Sequence, residues 1–514
     1  MLPVHRRPNL ATHGSGFFLV ASDWDDWFTY ETQHELVHID GENRRTSFGQ
    51  VKIGQFGMLK GQRMPDLPEE FEELDDRFFS LGQDVTYYAE LGEFCGEDVR
   101  EQVLRALRDI AVDRELFRRA LAEDVTEQSL MRFVRRATVE TQFRRVGTGG
   151  AATTKYHFTY TPPSIRGGAR PTPLEFQVVP GSRPPTNIHV LIGRNGVGKS
   201  WTQDHMARAL AEPGASPAKV GHFEFEGADE KEGRFINLVS VSFSAFDTFE
   251  PISKSDRPED CLDYAYVGLK TIARTRSRSL ASRPLKGNST LAREFSQSVY
   301  ACSHGARLVR WRRALQTLES DPIFNAAGIV DLTEHADDEE ALKAAALSLF
   351  GKLSSGHKIV LLTITRLVEE VEERSLVLLD EPEAHLHPPL LSAFTRALSD
   401  LLVNRNGVGI IATHSPVILQ EVPRTCVLTV RRSGRTTTVD RPEVETFGEN
   451  VGTLTREVFG LEVTQSGFHR LIGAEVDAGL SYDSIVAKFK GQLGGEACAL
   501  LRALIAVRDA EGGQ

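Results

Sequence analysis

The sequence predicts an α/β fold organised around a parallel sheet, and three stretches carry that prediction. Ile188, Val190, Leu191 and Ile192 form an apolar run that leads into Gly193-Arg-Asn-Gly-Val-Gly-Lys199-Ser200. Ser375-Leu-Val-Leu-Leu379 is a second such run and ends in Asp380-Glu381. Gly409-Ile-Ile-Ala-Thr413 is a third and ends in His414. Short apolar runs that stop at a polar residue read as strands buried on both faces, the pattern that parallel sheets require.

The first stretch fits G-x-x-x-x-G-K-[ST], the phosphate-binding P-loop, and a helix-compatible segment, Trp201 to Leu210, follows it. Glycines let backbone N–H groups turn inward around an anion, and a helix N-terminus adds partial positive charge. Lys199 is placed to reach the β- and γ-phosphates of ATP and Ser200 to hold Mg²⁺. Gly193, Asn195, Gly196, Gly198 and Trp201 complete the expected cofactor contacts. An accidental glycine turn is the competing reading; the preceding strand and the complete Gly-Lys-Ser weigh against it.

Asp380, at a rigid strand end, is the expected second Mg²⁺ residue. Glu381 is the candidate base for the water that attacks the γ-phosphate, and His414 can hydrogen-bond that phosphate. Leu353-Ser354-Ser355-Gly356, at a helix start, is a second expected anion site, through Ser354, Ser355 and Gly356. If it lies away from its own P-loop, a head-to-tail dimer is implied, each chain completing the other's site.

A chain of 514 residues accommodates several domains. Residues 1–150 read as β-rich and then helical. The run from Pro68 to Phe79 has helical spacing. Residues 151–250 read as the lobe with the P-loop, with strands at Thr153–Thr161 and Leu174–Val179 that would edge its sheet. One aromatic among Tyr156, Phe158 and Tyr160 could stack on a base, although core packing is the favoured role. His34 and His38 share a strand face and are expected to pack rather than bind metal. Residues 251–345 read as a basic helical insertion: eleven basic residues between Lys270 and Arg313 face one acid, Glu294. Within it Arg274, Arg276 and Arg278 are the nucleic-acid candidates, contacting DNA or RNA phosphates. The competing role is pairing with the acidic segments at Pro65–Asp76 and Asp331–Glu340. Residues 346–433 hold the other half of the nucleotide site. Residues 434–514 read as a helical tail that docks through Val451, Leu454, Val458, Phe459 and Leu461.

A formal net charge of −11 restricts any polyanion contact to a local patch. The five scattered cysteines, without a C-x-x-C pair, point to a reducing cytoplasm and against a structural zinc site. No run of eighteen apolar residues occurs, and Met1-Leu-Pro-Val-His-Arg-Arg lacks the apolar core of a signal peptide, so a cytoplasmic protein with no membrane partner is expected.

The order P-loop, Ser-Ser-Gly, Asp380-Glu381 and His414 resembles the ABC ATPase family. The wording Asp380-Glu-Pro-Glu-Ala-His-Leu-His-Pro388 and Thr413-His-Ser-Pro416 is similar to its soluble branch, the RecF-like and SMC-like proteins and the ATPases of anti-phage systems. The resemblance implies phosphate binding by Lys199, Mg²⁺ binding by Ser200 and Asp380, Glu381 as catalytic base and His414 as switch. It implies that Ser354 to Gly356 act in trans, in an ATP-dependent homodimer or higher oligomer. Ser355 and His357 stand where transporters commonly have Gly and Gln, and Ser244 to Asp247 stand where a Q-loop glutamine is expected. His385 and His387 resemble a metal pair, but the family wording gives them a structural loop role. The expected function is that of an ATPase that senses or regulates a DNA-directed process, favouring anti-phage defence with a separate HNH-type effector nuclease, as in Septu-like systems. RecF-like repair or recombination is the alternative. A transporter ATPase fits less well, and the tail is too short for the Toprim nuclease of OLD-type proteins.

Overall fold

The structure, a computed structural model, describes residues 4–5, 15–21, 30–58, 61–150, 154–164, 171–212, 214–226, 234–243, 250–252, 262–271, 285–335, 338–434, 436–459 and 467–511. The strands of the N-terminal region are β1 (Val4–His5), β2 (Gly16–Ala21), β3 (Gln33–Ile39), β4 (Arg45–Gln55), β5 (Glu70–Phe71) and β6 (Phe78–Gly82). They form one sheet in the order β5-β1-β2-β3-β4-β6. Helices Val85–Cys95, Glu97–Ala106 and Arg114–Ala120 follow. The helix expected from Pro68 is absent; β5 and β6 stand there. Every residue of β6 is buried, and it pairs antiparallel with β4 from Val51↔Gly82 to Gln55↔Phe78. Tertiary pairing overrides the local spacing, and Gly82 is required, because a Cβ there would lie 2.3 Å from the Tyr87 ring. His34 is buried with Nδ1 3.0 Å from the Thr32 carbonyl, and His38 packs on Phe17.

The remaining strands are β7 (Tyr156–Thr161), β8 (Leu174–Val178), β9 (Ile188–Ile192), β10 (His222–Phe225), β11 (Asn237–Ser242), β12 (Asp263–Gly268), β13 (Ser375–Asp380), β14 (Val408–Thr413), β15 (Val427–Ser433) and β16 (Thr436–Asp440). The central sheet runs β12-β11-β13-β14-β9-β15-β16 and is parallel up to β15, with β16 antiparallel at the edge. Two expectations are corrected here. β7 and β8 do not edge this sheet; with β10 they form a separate antiparallel sheet in the order β10-β7-β8. β7 alternates, burying Tyr156, Phe158 and Tyr160 in the core between the two sheets, so none of the three is free to stack on a base. The segment 251–345 is also not wholly helical: β12 lies within it and closes one edge of the central sheet.

The insertion helices Asn288–Cys302, Gly305–Leu318, Pro322–Ala327 and Glu339–Lys352 pack around helices Ser355–Glu370 and Pro388–Asn404 in the largest core. Trp311 is fully buried there, and its Nε1 donates to Thr365 Oγ1 at 3.1 Å. Four basic residues between Lys270 and Arg313 meet acids other than those expected. Arg307 pairs with Glu372 (3.1 Å), Arg310 with Asp84, Lys286 with Glu294 (2.9 Å) and Arg313 with Asp400 (3.8 Å). Arg274, Arg276 and Arg278 lie outside the described residues.

Buried ion pairs also fasten the N-terminal region to the central-sheet domain. Asp84 caps helix Val85–Cys95 and faces Arg310 and Arg405. Burial alone would raise its carboxyl; the two guanidinium groups outweigh burial and hold it below its usual value. At the surface Arg135 pairs with Asp263; deeper, it reaches the buried Glu372, and Arg145 reaches the buried Glu373. Removing one partner of such a pair leaves an uncompensated buried charge.

In the tail, Leu454 and Val458 dock helix Val451–Phe459 on the main core, with Phe459 packed against it. Val451, expected to dock, is exposed, since it falls on the outer face of its helix, and Leu461 lies outside the described residues. Ile472, Val476, Ile485 and Leu501 make a separate small core among the last helices. No helix among the described residues is long and apolar enough to cross a membrane.

Candidate nucleotide site

The site forms where β9, β13 and β14 end together. Ala412 on β14 pairs with Leu191 of β9 on one side and with Asp380 of β13 on the other, so all three strands deliver their last residues to one edge. The P-loop leaves β9 at Gly193. A Cβ there would lie 2.3 Å from the Val430 carbonyl oxygen, so only glycine fits. Gly196 and Gly198 have φ of +80° and +105°, in the left-handed region that glycine adopts without strain. Helix Lys199–Ala211 begins at Gly198 with no side-chain cap, which leaves its first N–H groups for an anion.

Lys199 folds back over the loop. Its Nζ donates to the carbonyls of Gly193 (2.9 Å) and Arg194 (3.0 Å). Burial lowers the affinity of the ammonium for its proton, and Glu381, Glu383 and Asp380 oppose that shift. Ser200 Oγ donates to Asp380 Oδ1 at 2.9 Å. A hydroxyl and a carboxylate in contact are the hard oxygen donors that suit Mg²⁺, which keeps several of its waters and takes few protein ligands.

Glu381 has φ +45°, a left-handed conformation unusual for a side-chain-bearing residue, with a backbone cost of about 1 kcal/mol. Its N–H donates to the Ala412 carbonyl (2.9 Å), which pins the turn. The residue lines a cavity of about 660 Å³ together with Asn195, Gly196, Gly198, Lys199, Ser200 and Trp201. An apolar wall that includes Pro163, Leu174, Val430 and Val439 completes it. The volume suits a nucleotide.

Two residues of the site escaped sequence reasoning. Gln203 is buried and its Nε2 donates to the carbonyls of Leu379 and Ile410, each at 2.9 Å, stapling the P-loop helix to β13 and β14. Its signal was weak: a polar residue one turn beyond Ser200, facing the sheet. Glu383 Oε1 accepts the backbone N–H of His414 (2.7 Å), lies 3.1 Å from His414 Nδ1 and accepts the Thr413 hydroxyl. A second acid two positions past Asp380-Glu381 was the available clue. His414 thus stands at the tip of β14, half-exposed and held by Glu383, but it does not line the cavity.

Ser354 caps helix Ser355–Glu370, its Oγ accepting the N–H of His357. Ser354, Ser355 and Gly356 do not line the P-loop cavity of their own chain. Ser244 to Asp247 lie outside the described residues.

A parallel sheet in which β14 separates the P-loop strand from the Asp380 strand, with Lys199, Ser200, Asp380 and Glu381 brought to one edge, defines a mixed α/β P-loop NTPase fold resembling the ATP-binding cassettes of ABC proteins. Residues 220–420 match the family described as "AAA domain, putative AbiEii toxin, Type IV TA system". The chain belongs to the family of protein ea59 of Escherichia phage lambda, with which it shares 40% identity across 96% of this chain and 95% of that protein. Among solved structures, it is similar to an ATP-binding cassette of an ABC transporter in its ADP conformation (14% identity, 52% of this chain and 85% of that one, TM-score 0.27). It is also similar to the ATP-binding subunit of an ABC transporter (17%, 52% and 82%, TM-score 0.25).

Proposed function

We propose that this protein binds and hydrolyses MgATP, pairs head to tail with a second copy when ATP is bound, and acts as a sensor or regulator of a DNA-directed process. One observation carries the reading: the Ser200–Asp380 contact sits beside a P-loop cavity that Glu381 also lines. In the proposed reaction Lys199 exchanges its loop carbonyls for β- and γ-phosphate oxygens. Ser200 and Asp380 hold Mg²⁺, which neutralises charge on the phosphates. Glu381 takes a proton from the attacking water, and His414, held by Glu383, contacts the γ-phosphate side. Ser354 to Gly356 serve the partner's nucleotide, which accords with their place outside their own chain's cavity. The test is phosphate release from MgATP by the full-length chain, with protein concentration varied; a rate per chain that rises with concentration supports the dimer.

The setting we favour is conflict between phage and host, with a separate effector nuclease of HNH type. The phage origin of ea59 and the toxin–antitoxin wording of the matched family support it. A DNA or RNA contact is proposed for Arg274, Arg276 and Arg278. Arg307 and Arg310 are paired internally and contribute nothing to it. Changing the three arginines to Ala is expected to weaken nucleic-acid binding and to flatten its salt dependence by about one counterion per lost contact. An unchanged salt slope in a filter-binding titration would remove the proposal.

A further inference from the structure

Asp321 opens the insertion helix Pro322–Ala327 and is buried. Its Oδ1 accepts the N–H groups of Ile323 (2.9 Å) and Phe324 (3.2 Å). The same carboxylate meets two imidazoles from outside the insertion: His357 Nε2 lies 3.2 Å from Oδ1, and His387 Nε2 lies 3.2 Å from Oδ2. His357 stands in the first turn of the helix that Ser354 caps, with Nδ1 2.7 Å from Ser354 Oγ. His387 caps helix Pro388–Asn404, its Nδ1 accepting the N–H of Leu390 at 3.2 Å.

We propose that Asp321, His357 and His387 form a positioning relay that ties Ser354 to the segment running from Glu381 to His387. The proposal rests on the reading of Ser354 and Glu381 as two parts of one ATP machinery. The hydrogen bonds of the relay are mutually consistent. Because His387 Nδ1 accepts a backbone N–H, its ring proton sits on Nε2 and points at Asp321. His357 gives its Nε2–H to the same carboxylate, and its Nδ1 then accepts the Ser354 hydroxyl. Both imidazoles are thereby fixed by one side chain of the insertion. The segment that ends at His387 also carries Glu383, which holds His414. The side chain that acts on the partner's nucleotide and the carboxylate that acts on the chain's own are therefore set from a single point. A shift of the insertion would move them together.

The three ligand atoms also lie within 4.8 Å of one another, close enough for a divalent transition metal. The His387 tautomer opposes that use. A metal on Nε2 would force the proton to Nδ1, against the Leu390 N–H.

Asp321→Asn in the full chain separates the relay from the helix cap. Asn caps helices as well as Asp, and its carbonyl can keep Ile323, Phe324 and His357. Its amide then faces the Nε2–H of His387, donor against donor. The expected result is a melting temperature lowered by no more than about 3 °C, a Kd for a fluorescent ATP analogue within about twofold of wild type, and a kcat lower by about tenfold, because the two segments are no longer held in register. Asp321→Ala, which loses the cap as well, should lower both kcat and melting temperature. An Asn variant with wild-type kcat overturns the relay and leaves the ATPase reading intact. A wild-type chain that binds ATP and never hydrolyses it overturns both. Zn²⁺ binding by wild type at micromolar concentration, abolished in Asp321→Asn, would make the trio a metal centre and overturn the relay as well.

Discussion

Glu381→Gln is expected to stop phosphate release while ATP binding persists. The amide has the shape of the carboxylate, so the wall of the 660 Å³ cavity keeps its form. The left-handed turn at φ +45° and its backbone bond to Ala412 do not depend on the side-chain charge. What disappears is the group that accepts the proton of the attacking water. General-base catalysis by one positioned carboxylate contributes about 10²–10⁴-fold, and a loss of that order is the expected drop in kcat. With turnover blocked, ATP should remain between two chains, and light scattering should show a dimer that the nucleotide-free protein lacks. Hydrolysis at the wild-type rate would mean that another group activates the water.

Lys199→Ala is expected to fail one step earlier. In this structure the ammonium is buried and bonded to two carbonyls of its own loop. A triphosphate offers it anionic oxygens in their place. Truncating one partner of a buried, charge-assisted contact costs about 2–5 kcal/mol, so the Kd for MgATP should rise by at least about thirtyfold. Calorimetric titration reads this directly, and an unchanged Kd would remove Lys199 from the phosphate site. The two variants separate binding from chemistry: Glu381→Gln keeps the ligand and loses the reaction, and Lys199→Ala loses the ligand.

Much of the central sheet was legible because its strands are buried on both faces. Ile188–Ile192, Ser375–Asp380 and Val408–Thr413 are buried and mostly apolar along their length, and each stops where the chemistry begins. The spacing of Lys199 and Ser200 within one loop is local information, so the P-loop could be read directly. What stayed hidden depends on contacts distant in sequence. Gln203 has a role only because the carbonyls of Leu379 and Ile410 converge on it. Glu383 matters because β14 brings the His414 N–H to it. Phe71, Leu74, Phe78 and Phe79 have helical spacing, yet β4 claims the last two as a strand. β12 was masked by the basic residues that follow it. The charge asymmetry of the insertion was real, but Arg307 and Arg310 meet Glu372 and Asp84, which no local pattern links to them. Asp321, His357 and His387 come from three separate segments and share no motif.

The claim at the centre of this account is that each ATP site is completed by the Ser354 segment of a second chain. The most direct test mixes two variants, Lys199→Ala and Ser354→Arg, each expected to be inactive alone. In a head-to-tail dimer of one chain of each kind, the intact P-loop of the Ser354→Arg chain faces the intact Ser354 of the Lys199→Ala chain. Half of randomly paired dimers are mixed, and each holds one working site of two. An equal mixture should therefore recover about a quarter of the wild-type rate of phosphate release. A mixture no more active than its two components measured separately, or a Ser354→Arg chain that hydrolyses ATP at the wild-type rate by itself, would contradict the composite site.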